Sequence, residues 1–564
     1  MGQSLTIKKN YVSAPSAPIQ HDRDPVAMLF HWAETRPKST YLRQPFNGVW
    51  REYSWAEVAD QVRRMAAALK ALGLQPGDAV ALTGKNTAHW IMADLAVGMA
   101  GGISVGIYPN QASETTRYVL EHSGTKFLFF GPLLDPQQLA DGIPDSVKTI
   151  GMPYPDLPDT DYGWDALIKE HEPLQDWEPN DPDAVHTMIY TSGTTGNPKG
   201  VMLTTRSARE TMGGVINRLE FRDDERFFSY LPLAHIFERG VVELCSLYVG
   251  AEISFMESLD KLASQLAEVA PTRFYGVPVV YGRIQSGILE KLPQKKMDRL
   301  LRLPIISGLI RKKVVGGLGL QNARMVVSGA APMPEAQINW FAKLGVTICQ
   351  GYGMSENSAY CTTNTPTENR VGSVGRPMPG VEIKIDEATQ EVLTRSAATM
   401  LGYYKNEEKT AETITDGWLH TGDKGRIDKD GYLYITGRIK DAFKTSKGKY
   451  VDPAPIEDKL ATDGAIDQIC LIGSGMKLPV GIVRIDSEDD KAEIAKRLAE
   501  KVEALNKTLE PHERVGKLFL TREEWTVEDG LVTPTMKIKR PQLEDRYRNQ
   551  VEAMLGHDDK VVWF

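Results

Sequence analysis

Along the first part of the chain, apolar positions at helical spacing alternate with short apolar runs. Val58, Val62, Met65, Leu69 and Leu72 are spaced three or four residues apart and fall on one helix face. Ser54 and Glu57 form a capping box ahead of them, and Gly73 suits the C-terminal cap. A short apolar strand, AVALT, follows at 79–83. Then come a helix around Trp90, a strand at 103–107 (ISVGI), a helix near 113–122 and a strand at 127–130 (FLFF). Similar patterns recur through Ile253 and Met325. Strand–helix–strand repetition of this kind predicts a parallel sheet covered by helices. After Gly422 the texture changes. GDKGRIDKDGYLYITGR sets turn residues between short alternating strands. QICLIGSG, PVGIVRID and a charged helix near 488–509 then predict a compact α+β unit, with a domain boundary near Arg438 to Asp441.

The chain has 564 residues, enough for several domain-sized units and a large buried core. A formal net charge of -8 argues against a nucleic-acid surface. Cys245, Cys349, Cys361 and Cys470 form no CxxC pair and match no zinc spacing, so four reduced thiols of a cytoplasmic protein are expected. The opening MGQSLTIKKN has no apolar signal core, although Gly2 and Thr6 match the short myristoylation pattern. The most apolar run, at 90–107, is interrupted by Asp94 and reads as a buried helix and strand, not a membrane span. The segment 289–320 is basic and Leu-rich, with the run QKKMDRLLRLPIISGLIRKK. It reads first as a helical insertion with a solvated basic face. The other reading is a peripheral contact at the inner face of a membrane.

Residues 190–205 read YTSGTTGNPKGVMLTT and look built for phosphate. A Walker A loop needs Lys directly after its last Gly and a hydroxyl after that. Here Asn197 and Pro198 separate Gly196 from Lys199, so a P-loop phosphotransferase is excluded. The physical logic of anion binding still applies. Gly193 and Gly196 let backbone N–H groups converge, Thr191, Ser192, Thr194 and Thr195 add hydroxyls, and Lys199 adds charge.

Further blocks follow in order: LPLAHIFE (231–238), VSGAAPMP (327–334), QGYGMSE (350–356), WLHTGD ending at Asp423, TGR ending at Arg438, and LVTPTMKIKR (531–540). Together with the phosphate stretch, this ordered set resembles the adenylate-forming superfamily from about Tyr41 to about Leu555. The resemblance implies an α/β fold. A large N-terminal domain (1–437) would carry helix-covered, mostly parallel sheets and a small β-barrel-like part, joined by a hinge (438–441) to a small mobile α+β domain (442–564). It implies two steps: a carboxylate attacks the α-phosphate of ATP to give acyl-AMP and pyrophosphate, and a thiol then displaces AMP. His235 would lie near the acyl carboxylate, and Gly329, Ala330 and Ala331 would border adenine. In the strand block Gln350, Gly351, Tyr352, Gly353, Met354 and Ser355 would line AMP, with Tyr352 packed on the base. Glu356 and Thr191 would hold Mg²⁺, and Asp423 and Arg438 would bind ribose. Lys537 would bridge the carboxylate and the α-phosphate, in preference to its neighbours Lys539 and Arg540. Lys440 would be the hinge, and Lys444 and Gly448 would meet CoA.

VAPTRFYGVPVVYGRI (269–284) and the closing TPTMKIKRP resemble the long-chain acyl-CoA synthetase branch, which implies a fatty acid substrate, ATP and CoA. Five positions depart from the family pattern: Thr205 for His, Ser355 for Thr, which keeps the hydroxyl, Gln390 for Gly, Asp452 for Ala and Met536 for Gly. Asp452 puts a negative charge beside the expected CoA path. Two alternatives stand beside the ligase: a fatty acyl-AMP ligase that loads a carrier protein, whose usual rotation-blocking insertion is not apparent after Arg438, and a non-catalytic nucleotide- or acyl-binding scaffold.

Overall fold

The computed structural model describes residues 4–18, 23–133, 135–191, 197–487, 489–527, 529–533 and 537–564. The predicted helix is Trp55–Ala71, with the Ser54–Glu57 capping box closed in both directions. Val58, Val62, Met65 and Leu69 are fully buried, and Gly73 turns the chain at φ +98°. The strands Ala79–Thr83, Ile103–Ile107 and Phe127–Phe130 and the helices Ala88–Met99 and Ser113–Ser123 form where the pattern predicts them.

Among the described residues the largest sheet has eight strands. Val185–Thr191, Ile103–Ile107, Ala79–Thr83, Phe127–Phe130, Lys148–Gly151 and Tyr162–Gly163 run parallel. Lys199–Thr204 and Gly402–Tyr403 extend it antiparallel. In a second sheet Met325–Ser328 lies between Arg273–Gly276 and Ile348–Tyr352, all parallel. A third, mixed sheet joins Arg226–Ser229, Glu252–Phe255, Thr40–Phe46 and Val49–Ser54. The barrel-like part is an antiparallel sheet built on Glu382–Ile385, Glu391–Arg395, Trp418–Ile427 and Leu433–Arg438.

Two local details differ from the sequence reading. The stretch after Gly422 does hold two strands around a turn, but the first is the end of a longer strand, Trp418–Ile427, with a register shift at Lys424/Gly425 against Leu433–Arg438. A Cβ at Gly425 would lie 2.7 Å from the Tyr434 carbonyl oxygen, so only glycine permits that close pairing. The charged helix is shorter, Lys491–Asn506, and starts where the Asp490 carboxylate accepts the Ala492 and Glu493 N–H groups. Asp94, the charge inside the apolar run, forms a buried ion pair with Arg239. A buried charge of this kind is tolerated because it is paired.

Residues from 443 onward bury their apolar side chains among themselves. One cluster includes Leu471, Val483, Leu498 and Val502, and another includes Phe519, Trp525 and Tyr547. They flank the sheet of Ile466–Ile472, Val480–Ile485, Lys517–Thr521 and Val561–Trp563.

Candidate active site

Thr191 ends one strand and Lys199 begins the next, and the two are paired antiparallel. The Gly/Thr-rich stretch is therefore a hairpin connection rather than the strand-to-helix turn of a Walker A loop. Ser192, Gly193, Thr194, Thr195 and Gly196 lie outside the described residues, as do Gly2 and Met536. Lys199 stacks 5.5 Å over the Tyr403 ring. Its pKa is lowered by burial and by the charges of Lys409 and Lys440. Glu356 and Glu412 oppose the shift without cancelling it, so an anion arriving beside this half-buried lysine would be favoured.

The Tyr403 hydroxyl donates to Glu356 Oε1 at 2.7 Å. Glu356 is buried in the turn Ser355–Asn357, directly after the strand Ile348–Tyr352. Two more residues of this turn region, Ser358 (φ +57°) and Ala359 (φ +54°), take left-handed backbone, and so does Ala330 (φ +66°) across the sheet. Side chains with a Cβ avoid that region, and such strain gathers at functional sites. Gly353 packs so closely here that an added Cβ would lie 2.5 Å from the Ala359 carbonyl carbon. Gly353→Ala is expected to cost about 1–3 kcal/mol of local packing. A lower unfolding temperature together with weaker ATP binding would show it.

Ser328 ends its strand and is the parallel neighbour of Gln350, and open α/β sheets bind ligands beyond such strand ends. A Cβ on Gly329 would meet the Phe237 ring at 3.4 Å and the Gly351 carbonyl oxygen at 3.6 Å. Three sequence blocks therefore converge there. Phe237 follows His235, which caps the short helix Ile236–Glu238: its Nδ1 accepts the Phe237 N–H. Burial and the nearby Lys537 charge lower the His235 pKa to about 3. The ring is thus neutral, and the Nδ1 contact assigns its proton to Nε2.

Asp423 and Arg438 are cross-strand partners on Trp418–Ile427 and Leu433–Arg438. Arg438 Nε donates to Asp423 Oδ1 at 2.9 Å, and the Tyr352 hydroxyl donates to Asp423 Oδ2 at 2.6 Å. Lys537 faces the same cleft. The crowd of protein atoms and the Arg438 charge lower its pKa to about 8, while Asp423 and Glu356 oppose the shift. Lys537 keeps open surface, so water and ligand still reach it. The cleft therefore gathers a titratable cation, two buried carboxylates and a neutral imidazole from four separate parts of the chain. Such a site can bind an anion beside a second anion.

Two family models match the stretches that carry Lys199, His235, Glu356 and Lys537, and Asp423 and Arg438 lie between the two matches. The AMP-binding enzyme family matches residues 29–404, and the AMP-binding enzyme C-terminal domain matches residues 440–559. This chain belongs to the AMP-binding enzyme family. Among similar AMP-binding enzymes, a long-chain-fatty-acid–CoA ligase, FadD15, of Mycobacterium bovis is 29% identical, covering 97% of this chain and 99% of that protein. Long chain acyl-CoA synthetase 4 of Arabidopsis thaliana is 30% identical, covering 91% and 87%. The fold matches a solved anthranilate CoA ligase, AuaEII, in complex with anthranoyl-AMP, with a TM-score of 0.78, 24% identity and 95% and 99% coverage. It also matches a Bacillus subtilis o-succinylbenzoate CoA synthetase in complex with ATP and magnesium ion, with a TM-score of 0.72, 23% identity and 92% and 99% coverage.

Tyr403 stands in none of the sequence blocks above, and Glu391 stands there only as the neighbour of the departing Gln390. Tyr403 links Lys199 to Glu356, and it sits in an unremarkable GYYKN stretch. Glu391 Oε1 accepts the Gly422 N–H at 2.9 Å and so fixes the backbone just before Asp423. Its neighbour Gln390 adopts φ +62°, which explains why glycine is the usual residue there. Thr205 is buried at the start of the helix Thr205–Leu219.

Lys444 and Gly448 are solvent-exposed in the hairpin of Phe443–Lys444 and Tyr450–Val451. Lys440 is also exposed, in the turn after Leu433–Arg438. Asp452 leaves little free charge, because Lys424 Nζ donates to its Oδ2 at 2.9 Å. This pair ties the start of the C-terminal region to the strand that carries Asp423. Asp452→Ala should loosen that tie by an exposed-pair amount, about 1 kcal/mol or less. The expected result is a few-fold slower adenylation half-reaction with the thioester half-reaction unchanged, measured separately.

Proposed function

We propose that this protein is an AMP-forming fatty acid–CoA ligase of the long-chain class. It converts a fatty acid and ATP to acyl-AMP and pyrophosphate, then transfers the acyl group to CoA. The observation that carries this reading is Lys537, which reaches from the C-terminal region into the cleft that holds Glu356, Asp423 and His235.

The first step brings a carboxylate against a polyphosphate, so like charges must be brought together. Protonated Lys537 lies between them and draws both toward itself. Neutral His235 offers its Nε2 proton to the acyl carboxylate and adds no charge of its own. Lys199, with Lys409 and Lys440 nearby, attracts the β and γ phosphates that leave together. Asp423, oriented by Tyr352 and Arg438, receives the ribose hydroxyls. Gly329, Ala330 and Ala331 face adenine with Gln350, Gly351 and Tyr352. Gly353, Met354 and Ser355 carry the chain on to Glu356. A buried carboxylate and a hydroxyl are the hard oxygen donors that suit Mg²⁺ when nucleotide phosphates supply the other ligands. Glu356 and Thr191 would hold that ion, which screens phosphate charge when bound. Among the described residues no cluster of three His, Cys, Asp or Glu forms a metal site unaided.

In the second step the region after a hinge at 438–441 turns and withdraws Lys537. The hairpin with Lys444 and Gly448 then borders the pantetheine arm of CoA. An apolar pocket would grade chain length softly, at about 0.8 kcal/mol per CH₂. The reading puts the enzyme in the cytoplasm, at the inner face of a membrane. Among the described residues no helix is long and apolar enough to cross one.

The charge on Lys537 gives a pH prediction. Its lowered pKa means that the free enzyme carries the charge below about pH 8 and loses it above. The kcat/KM for adenylation should therefore fall as pH rises through about 8, and Lys537→Arg should flatten that limb. The function itself is tested by ATP–pyrophosphate exchange across a panel of carboxylates, repeated with CoA and thioester detection. Exchange with fatty acids and thioester formation are expected. Exchange without thioester would point to a carrier-protein acceptor, and no exchange with any fatty acid would overturn the substrate class.

A further inference from the structure

The segment 289–320 folds as the end of Pro278–Lys291 followed by two helices, Gln294–Leu301 and Pro304–Gly317. One side of this unit is anchored. Met297 is fully buried beside Trp340 and Phe341, and Leu301, Val314, Val315 and Leu318 pack against the same cluster. The other side is not. Of the eleven large apolar side chains left exposed among the described residues, four fall between 303 and 309. They are Leu303 (48% exposed), Ile305 (82%), Ile306 (37%) and Leu309 (64%), all at the turn into the second helix. Apolar surface gathered at one tip, with the core beneath already filled, calls for an outside partner.

Charge says which partner. Residues 289–320 contain eight Lys and Arg against two acids, in a chain of net charge -8. Lys295, Arg299 and Arg302 lie at i, i+4 and i+7 along the first helix and its cap, and all are exposed. Ile305, Leu309 and Lys312 have the same spacing along the second, so the apolar tip runs directly into a basic flank. Of the two acids, Asp298 accepts a hydrogen bond from Gln294 at 2.8 Å. A second copy of the chain, docked about a two-fold axis, would set this basic flank against itself.

We propose that the tip Leu303–Leu309, with its basic flanks, docks this enzyme on an anionic lipid bilayer. Leu303, Ile305, Ile306 and Leu309 enter the interface, and Lys295, Arg299, Arg302 and Lys312 contact headgroup phosphates. The inference rests on the proposed membrane-face location and adds the surface that makes the contact. Docking there brings the protein to the compartment in which a long-chain acid dissolves.

The test is flotation of the full chain with vesicles of phosphatidylcholine alone and of phosphatidylcholine with phosphatidylglycerol. ATP–pyrophosphate exchange on a medium-chain acid supplied in solution is measured in parallel. The wild type should float with the anionic vesicles and be released by high salt. Ile305→Ser with Leu309→Ser should keep exchange activity and bind about tenfold or more weakly. Lys312→Gln with Lys313→Gln should weaken binding to anionic vesicles by roughly 30-fold. Absence of vesicle binding, equal binding by wild type and variants, or no preference for anionic lipid would overturn the proposal. So would a wild-type dimer in sedimentation that Ile305→Ser dissociates. Loss of exchange in the wild type would strike at the proposed reaction instead and leave the flotation result readable.

Discussion

Lys537→Ala should slow acyl-AMP formation by roughly 10²–10³-fold while thioester formation from supplied acyl-AMP continues. The difference between the two half-reactions follows from where the residue sits. Lys537 lies among Arg438, Asp423 and Glu356, near enough to His235 to lower its pKa. Its charge is useful while a carboxylate and a phosphate must approach each other. Once the mixed anhydride exists, that repulsion is gone, and attack by a thiol does not call on this lysine. ATP–pyrophosphate exchange reads the first half-reaction, and thioester release from synthetic acyl-AMP reads the second. Equal loss in both would remove Lys537 from its assigned role. The adjacent Lys539 provides an internal control, since its Ala variant should leave both rates nearly unchanged.

The opposite split is expected for Lys440→Pro, which should spare adenylation and block thioester formation. Proline fixes its own φ near −65° and drives the preceding residue toward extended backbone. Ile439, that preceding residue, bonds through its N–H to the Gly422 carbonyl, so the stiffened pair is already pinned to the nucleotide-side strand. A chain that cannot turn at this point keeps Lys537 in the cleft and the Lys444–Gly448 hairpin outside it. Lys440 also adds charge beside Lys199, so the variant must be separated from simple charge loss. Lys440→Ala serves that purpose: it should lower adenylation a few-fold and leave thioester formation intact. Normal overall turnover in Lys440→Pro would count against alternation between two arrangements.

The regular elements were readable because local rules and tertiary demands agree there. Val58, Val62, Met65 and Leu69 show the helix period, and all four are buried. The site is a different matter. Asp423, Glu356 and Lys537 are legible as motif residues, but nothing in their own segments says that they share a cleft. That proximity comes from sheet register, such as Asp423 opposite Arg438 and Ser328 beside Gln350. Tyr403 and Glu391 stayed hidden for a related reason. They act through long-range hydrogen bonds, Tyr403 to Glu356 and Glu391 to Gly422 and His420, and a tyrosine or glutamate near a strand is too common to signal them. Asp452 was legible as a charge but not as a paired one, because Lys424 lies 28 residues away in sequence.

The pairing of Thr191 with Lys199 has a consequence for how this enzyme could be altered. The strands hold the two ends of the Gly/Thr-rich segment, so the sheet does not depend on what joins them. Chain closure is insensitive to modest changes in length, at about 0.6 kcal/mol for each doubling of a flexible loop. Changes of length or composition between these two anchored positions should therefore leave the eight-stranded sheet as it is.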